Sequence, residues 1–113
     1  MRTIKLFLLV LSLIQTPASL AGGNSGVGNI EWIYQRSLDG LLAVKKAGGD
    51  WSNPDNCASS DRIVLTKDNP SRSEFYSALL SSKMANKEIN AWLSGCVNWN
   101  GITYPVISGL YTY

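Results

Sequence analysis

Histidine is absent from the chain. Without an imidazole, no Ser-His or Cys-His nucleophile can be assembled. Cysteine occurs only at Cys57 and Cys96, and two thiolates alone do not complete a zinc shell. No metal site and no cofactor is therefore expected. A Gly-rich phosphate loop is also missing. "GGD" at Gly48–Asp50 has neither the Gly-x-Gly-x-x-Gly spacing nor a Walker-type lysine. There is no internal repeat and no low-complexity tract.

Long apolar runs are scarce as well. The one near-continuous run, Ile4 to Ile14, is about half of the roughly 20 residues a spanning helix needs. Arg2 and Lys5 precede or enter it, Pro17 follows it, and Ser19-Leu20-Ala21 ends it on small residues. That is the layout of a secretory signal peptide over 1–21. A single domain over 22–113 is expected to follow, secreted or periplasmic, with no membrane insertion once the signal is gone. Its first residues, "GGNSGVGN" over 22–29, are rich in Gly and Asn and read as a flexible start.

Net charge disappears with the leader. The chain has 10 basic and 8 acidic residues, and Arg2 and Lys5 leave with the signal. The exported domain is thus neutral. A neutral surface speaks against nucleic acid as a partner, since that affinity comes largely from clustered Lys and Arg. Export also places the two cysteines where disulfides form. A Cys57–Cys96 bridge closes a loop of about 40 residues, for which chain entropy gives roughly 4 kcal/mol.

What is present is β-rich. "IEWIYQR" (Ile30–Arg36), "LLAVKK" (Leu41–Lys46) and "RIVLT" (Arg62–Thr66) carry strand composition. Asp39-Gly40 suits a tight turn between the first two. "AGGDWSNPDN" (Ala47–Asn56) reads as a long loop. Asp68 or Asn69 can cap a helix that has Pro70 in its first turn, and Ser71 and Glu74 also have capping-box spacing. Phe75, Tyr76, Leu79, Leu80 and Lys83 share one face at helical spacing, with Met84 near it. "KEINAWLSGC" (Lys87–Cys96) alternates again. Asn100-Gly101 marks a hairpin to the last strand, Ile102–Leu110, where Pro105 argues for an edge position or an interruption of the strand.

The order strand, strand, strand, helix, strand, strand predicts a β-rich α+β domain. Its expected form is a small five-stranded OB-like barrel with the helix between strands 3 and 4. An open antiparallel sheet with one packed helix is the alternative.

Aromatics are plentiful: four Trp and five Tyr. Apolar walls with a few placed polar groups make a ligand site. Trp32 and Trp92 lie in strands and read as core. Trp51 and Trp99 lie in polar loop or turn sequence and read either as lids packed over the barrel ends or as ligand contacts, with Asn53, Asp55, Asn98, Asn100 and Tyr104 around them. Asp50, Asp55 and Asp61 surround Cys57 and could serve acid/base chemistry, yet such residues are what turns and caps use.

At "WSNPDNC" and "INAWLSGC" the chain resembles a group of small, signal-bearing Gram-negative bacterial proteins with no assigned activity. They share W-S-x-P-x-x-C, a helix, and a late W-x-S-G-C. The resemblance runs from about Tyr34 onward. The layout is also similar to the B subunits of pertussis- and subtilase-type toxins, which implies a disulfide-bonded OB-like domain that binds glycans and forms rings. The expected function is a non-enzymatic binding module for a glycan, with homo-oligomers implied by that likeness. A protein-binding inhibitor or periplasmic accessory factor is the alternative. A small hydrolase using Asp55 or Asp61 is a third.

Overall fold

A computed structural model describes residues 22–112. The signal peptide read over 1–21 lies outside the described residues. The elements are β1 (Gly23–Asn24), β2 (Ile30–Gln35), β3 (Leu42–Lys46), β4 (Arg62–Leu65), α1 (Arg72–Ala85), β5 (Ile89–Trp99) and β6 (Ile102–Thr112).

They build one six-stranded sheet in the order β1-β5-β6-β4-β3-β2. Neighbours are antiparallel except β4 and β6, which run parallel with Val64 opposite Val106. The five-stranded OB-like barrel is therefore corrected: the sheet is mixed, has six strands, and is not closed into a barrel. The purely antiparallel alternative is corrected by the β4–β6 pair. The extra strand comes from 22–29, the stretch that composition reads as a flexible start. There Ser25 donates its amide to the Ala91 carbonyl at 2.8 Å, and its buried hydroxyl accepts the Ala91 amide at 2.9 Å. Gly28 and Ile89 exchange both backbone bonds. The chain then leaves β5 for β3, so β1 and β2 become the two ends of the sheet with no ladder between them.

Both faces of the sheet bury side chains. Residues alternate between faces along a strand. In β3, Leu42 and Val44 point one way and Ala43 the other; in β4, Ile63 and Leu65 oppose Val64. The first face joins Ile89, Ala91, Leu93, Ile107 and the helix residue Leu79 in the main core. The second face gathers Leu41, Ala43, Val64, Trp99 and Tyr104.

The helix sits on the main core through Phe75, Leu79 and Ser82, one turn apart. Leu80 and Met84, expected on or near the packed face, are exposed, Met84 at 80 %. Phe75, Tyr76 and Leu79 of the expected stripe pack on the main core, and Ser82, outside that stripe, is buried as well. The capping box read at Ser71 and Glu74 is not formed, since the Ser71 side chain makes no cap bond. Instead Asn69 Oδ1 accepts the Ser71 amide at 2.8 Å. The helix ends at Asn86 in the left-handed conformation, with its amide bonded back into the last turn.

Three register shifts interrupt the ladders; one places an extra residue on β6, between Ile107 and Gly109, and the other two redirect β2 and β5. The β2 shift lies between Ile30 and Trp32, so Ile30 enters the main core while Trp32 turns to the second face. The other is a bulge on β5. Leu93 pairs with Ile107 and Cys96 with Pro105, so β5 advances three residues while β6 retreats two. One extra residue flips the facing of every residue beyond it. Ala91 and Leu93 fill the main core; Val97 and Trp99 fill the second. Gly95 sits in this bulge at φ 78, a conformation that side-chain-bearing residues rarely adopt. Pro105 is thus not on an edge strand, since β6 lies between β5 and β4. It pairs with Cys96, immediately beside the bulge, a place where a sheet tolerates the missing amide.

Cys57 and Cys96 form a disulfide, with Cα atoms 5.7 Å apart. It ties the long β3–β4 loop to β5 immediately after the bulge. Asn53 holds Cys57 from the loop side: its Oδ1 accepts the Cys57 amide and its Nδ2 donates to the Cys57 carbonyl, both at 2.8 Å. Replacing both cysteines with serine should lower unfolding stability by about 2–4 kcal/mol in urea titration. An unchanged midpoint would show that the loop is held without the bridge.

Candidate functional site

Among the described residues, no helix lies over the second face of the sheet. Its floor is Ala43 and Val64; its walls are rings. Trp32 and Tyr34 stand on β2, Trp99 at the end of β5, and Tyr104 on β6. Tyr34 stacks on Trp99 with centroids 6.0 Å apart, and Tyr104 meets Trp99 edge-on at 6.3 Å. Offset and edge-on contacts of this kind are the favoured aromatic geometries.

Two arginines are threaded through the rings. The Arg62 guanidinium lies 5.1 Å from the Tyr104 centroid, 5.5 Å from Trp32 and 5.9 Å from Trp99. Arg36 lies 5.1 Å from the Trp99 centroid. Each is paired with a neighbouring carboxylate. Arg62 donates to both oxygens of Asp61, at 3.0 and 3.4 Å, and Arg36 to both oxygens of Asp39, at 3.1 and 2.6 Å. The hydrogen bond to Asp61 raises the Arg62 pKa against the opposing effect of burial. The bond from Arg36 lowers that of Asp39, and the same bond raises that of Arg36. The face is therefore rich in planar groups; both arginines carry a paired carboxylate, and Lys45, opposite Trp32 and Arg62, adds a positive charge bonded to backbone carbonyls. An open groove of about 390 Å³ runs along it, lined by Trp32, Ile33, Tyr34 and Arg62.

The residues expected from sequence fall into two places. Trp51, Asn53 and Asp55 are in the β3–β4 loop. Trp51 is 2 % exposed, and its indole N–H donates to the Val44 carbonyl at 2.9 Å, which pins the loop to the main core. Asn53 is spent on Cys57. Asp55 accepts the amides of Gly22 and Gly95, at 3.2 and 2.7 Å. Asn98, Trp99, Asn100 and Tyr104 gather at the other place, the β5–β6 hairpin. Trp99 is 5 % exposed and supports Tyr34 from beneath. Tyr104 is buried beside it. Asn98 accepts the Gly101 amide, and Asn100 accepts from Arg36 at 3.2 Å. Asn100 and Gly101 have φ 55 and 87, as a two-residue turn between twisted strands requires. The Asp39-Gly40 connection is longer: Arg36 donates its amide to Leu41 across the loop.

Trp32, Tyr34, Arg36 and Arg62 are the surface residues that sequence reasoning passes over. A signal was present. "WIYQR" places Trp32, Tyr34 and Arg36 at alternate positions, hence on one strand face. Trp92, expected in the core, is exposed on β5. Among the described residues, no three His, Cys, Asp or Glu stand together as metal ligands, and no helix is long and apolar enough to cross a membrane. Of the carboxylates around Cys57, Asp55 serves backbone amides and Asp61 serves Arg62.

No family model, no curated protein and no solved structure matches the chain.

Arg62→Ala should destabilise the fold by about 1 kcal/mol and weaken the near-ultraviolet circular dichroism of the tryptophans. Arg62→Lys should recover only part of both, because an ammonium cannot hold Asp61 bidentately while lying flat on rings. Full recovery by lysine would mean that charge alone matters there.

Proposed function

We propose that the chain is an exported, non-enzymatic binding module that takes a sugar ring on the exposed faces of Trp32 and Tyr34. The observation that carries this reading is Tyr34. It is 49 % exposed, yet it is held flat by Trp99 behind it. A ring so fixed loses little freedom when a ligand stacks on it, which favours binding. Trp32 stands one strand position away on the same face, and the groove lies between them. The carboxylate-paired arginines leave donors at the groove margin without a strong net field, which suits a neutral, hydroxyl-rich ligand. The disulfide supports a secreted or periplasmic location. The sheet's open β2 end offers a route to homo-oligomers.

A protein partner is the second reading. Trp, Tyr and Arg are the residues that dominate binding energy at protein interfaces, and this face is built from them. In that case the module is an inhibitor or accessory factor.

A glycan array followed by calorimetry separates the two. Trp32→Ala and Tyr34→Ala should each weaken the bound glycan by about tenfold or more, the equivalent of about 1.4 kcal/mol. Trp92→Ala, on another part of the surface, should leave affinity unchanged. Equal affinity for wild type and both face variants would refute the assignment. An array with no bound glycan, together with capture of one defined periplasmic protein that is lost in Trp32→Ala, would favour the second reading.

A further inference from the structure

We propose that signal removal between Ala21 and Gly22 creates an internal ion pair, in which the new amino terminus docks on the Asp55 carboxylate. This rests on reading 1–21 as a leader. In the step itself, water adds across the Ala21–Gly22 peptide bond under an exported leader peptidase. The Ala21 carboxylate departs with the leader, and the Gly22 nitrogen takes up protons to become an ammonium.

Three features of the structure converge on that nitrogen. It already lies 3.2 Å from Asp55 Oδ1. Asp55 is held in place independently, because its other oxygen accepts the Gly95 amide at 2.7 Å. The slot also accepts glycine alone. A Cβ on Gly22 would lie 2.6 Å from the Leu93 carbonyl oxygen and 3.0 Å from the Trp92 indole nitrogen. A Cβ on the next residue, Gly23, would meet Pro54 at 2.9 Å. A backbone this tightly enclosed positions its first nitrogen within bonding reach of one carboxylate.

An ammonium in place of an amide turns a neutral donor into a charged one, and charge-assisted hydrogen bonds are roughly twice as strong. The local charges are simple. β5 carries no charged residue from Ile89 to Trp99, nor does β1, and Asp55 is the loop carboxylate bonded at this point. The Cys57–Cys96 sulfurs beside it do not titrate. An α-amino group titrates near 8 in an unfolded chain, and a carboxylate partner raises that value in the fold. The added stability is therefore complete below about pH 8 and is lost as pH rises through the folded value.

Intact-mass analysis of the exported protein should give a chain beginning at Gly22. That chain should melt about 3 °C or more above one carrying a single extra alanine before Gly22 at pH 7, and the gap should close by about pH 10.5. Asp55→Asn should abolish the gap. Because that variant also weakens the Gly95 bond, titration of a ¹⁵N-labelled Gly22 amine supplies a second readout, expected above the unfolded value. A different first residue, equal melting of both chains at pH 7, or an amine that titrates at its unfolded value would each overturn the proposal.

Discussion

The one-residue bulge at Gly95 is the constraint on which both faces of the molecule depend. Upstream of it, β5 feeds the main core through Ile89, Ala91 and Leu93; downstream it feeds the aromatic face through Val97 and Trp99. A regular strand would have sent all five to the same side. The bulge is clamped from the β3–β4 loop by two bonds of different kinds. Asp55 takes the Gly95 amide that the ladder leaves free, and the disulfide fixes the next residue, Cys96. An unpaired amide in a half-buried strand is costly, so a carboxylate that satisfies it contributes twice, by pairing and by setting the register. The loop that does this has no regular structure of its own. It is held in turn by the Trp51 indole and by Asn53.

This gives the two signature stretches a physical meaning. In "WSNPDNC", Trp51 anchors to the core, Asn53 wraps Cys57 and Asp55 reaches the bulge. In "WLSGC", Gly95 supplies the left-handed residue and Cys96 the bridge. Most of the polar groups that sequence reasoning offers to a ligand are consumed in this clamp. The aromatic face is its product: Trp99 reaches Tyr34 only because β5 changes sides.

How much of this could be read beforehand follows from the same point. Strand and helix positions were legible because alternation and helical spacing are local. The disulfide was legible from compartment and cysteine count. The tryptophans were only partly legible: Trp92 is exposed where core was expected, Trp32 is half-buried against the second core, and Trp51 and Trp99 took the inward-packing option of the two open to them. Trp32 and Trp92 lie in strands, but bulges decide which side a strand residue faces, and composition does not show a bulge. Trp51 and Trp99 lie in polar stretches, but their neighbours Asn53, Asp55 and Asn98 bond to backbone, which leaves the rings free to go inward. The open mixed sheet was not legible: the order of elements is compatible with several sheets, a closed barrel among them, and 22–29 joins β5 through backbone bonds that Gly and Asn composition conceals.

The register flip can be tested by deleting Gly95 and recording ring-to-ring nuclear Overhauser contacts. With the extra residue gone, Trp99 should lose its contacts with Tyr34 and Tyr104, while Leu79 keeps its contacts in the main core. A Gly95-deleted protein that retains the Tyr34–Trp99 stack would contradict the claim that this single bulge builds the face.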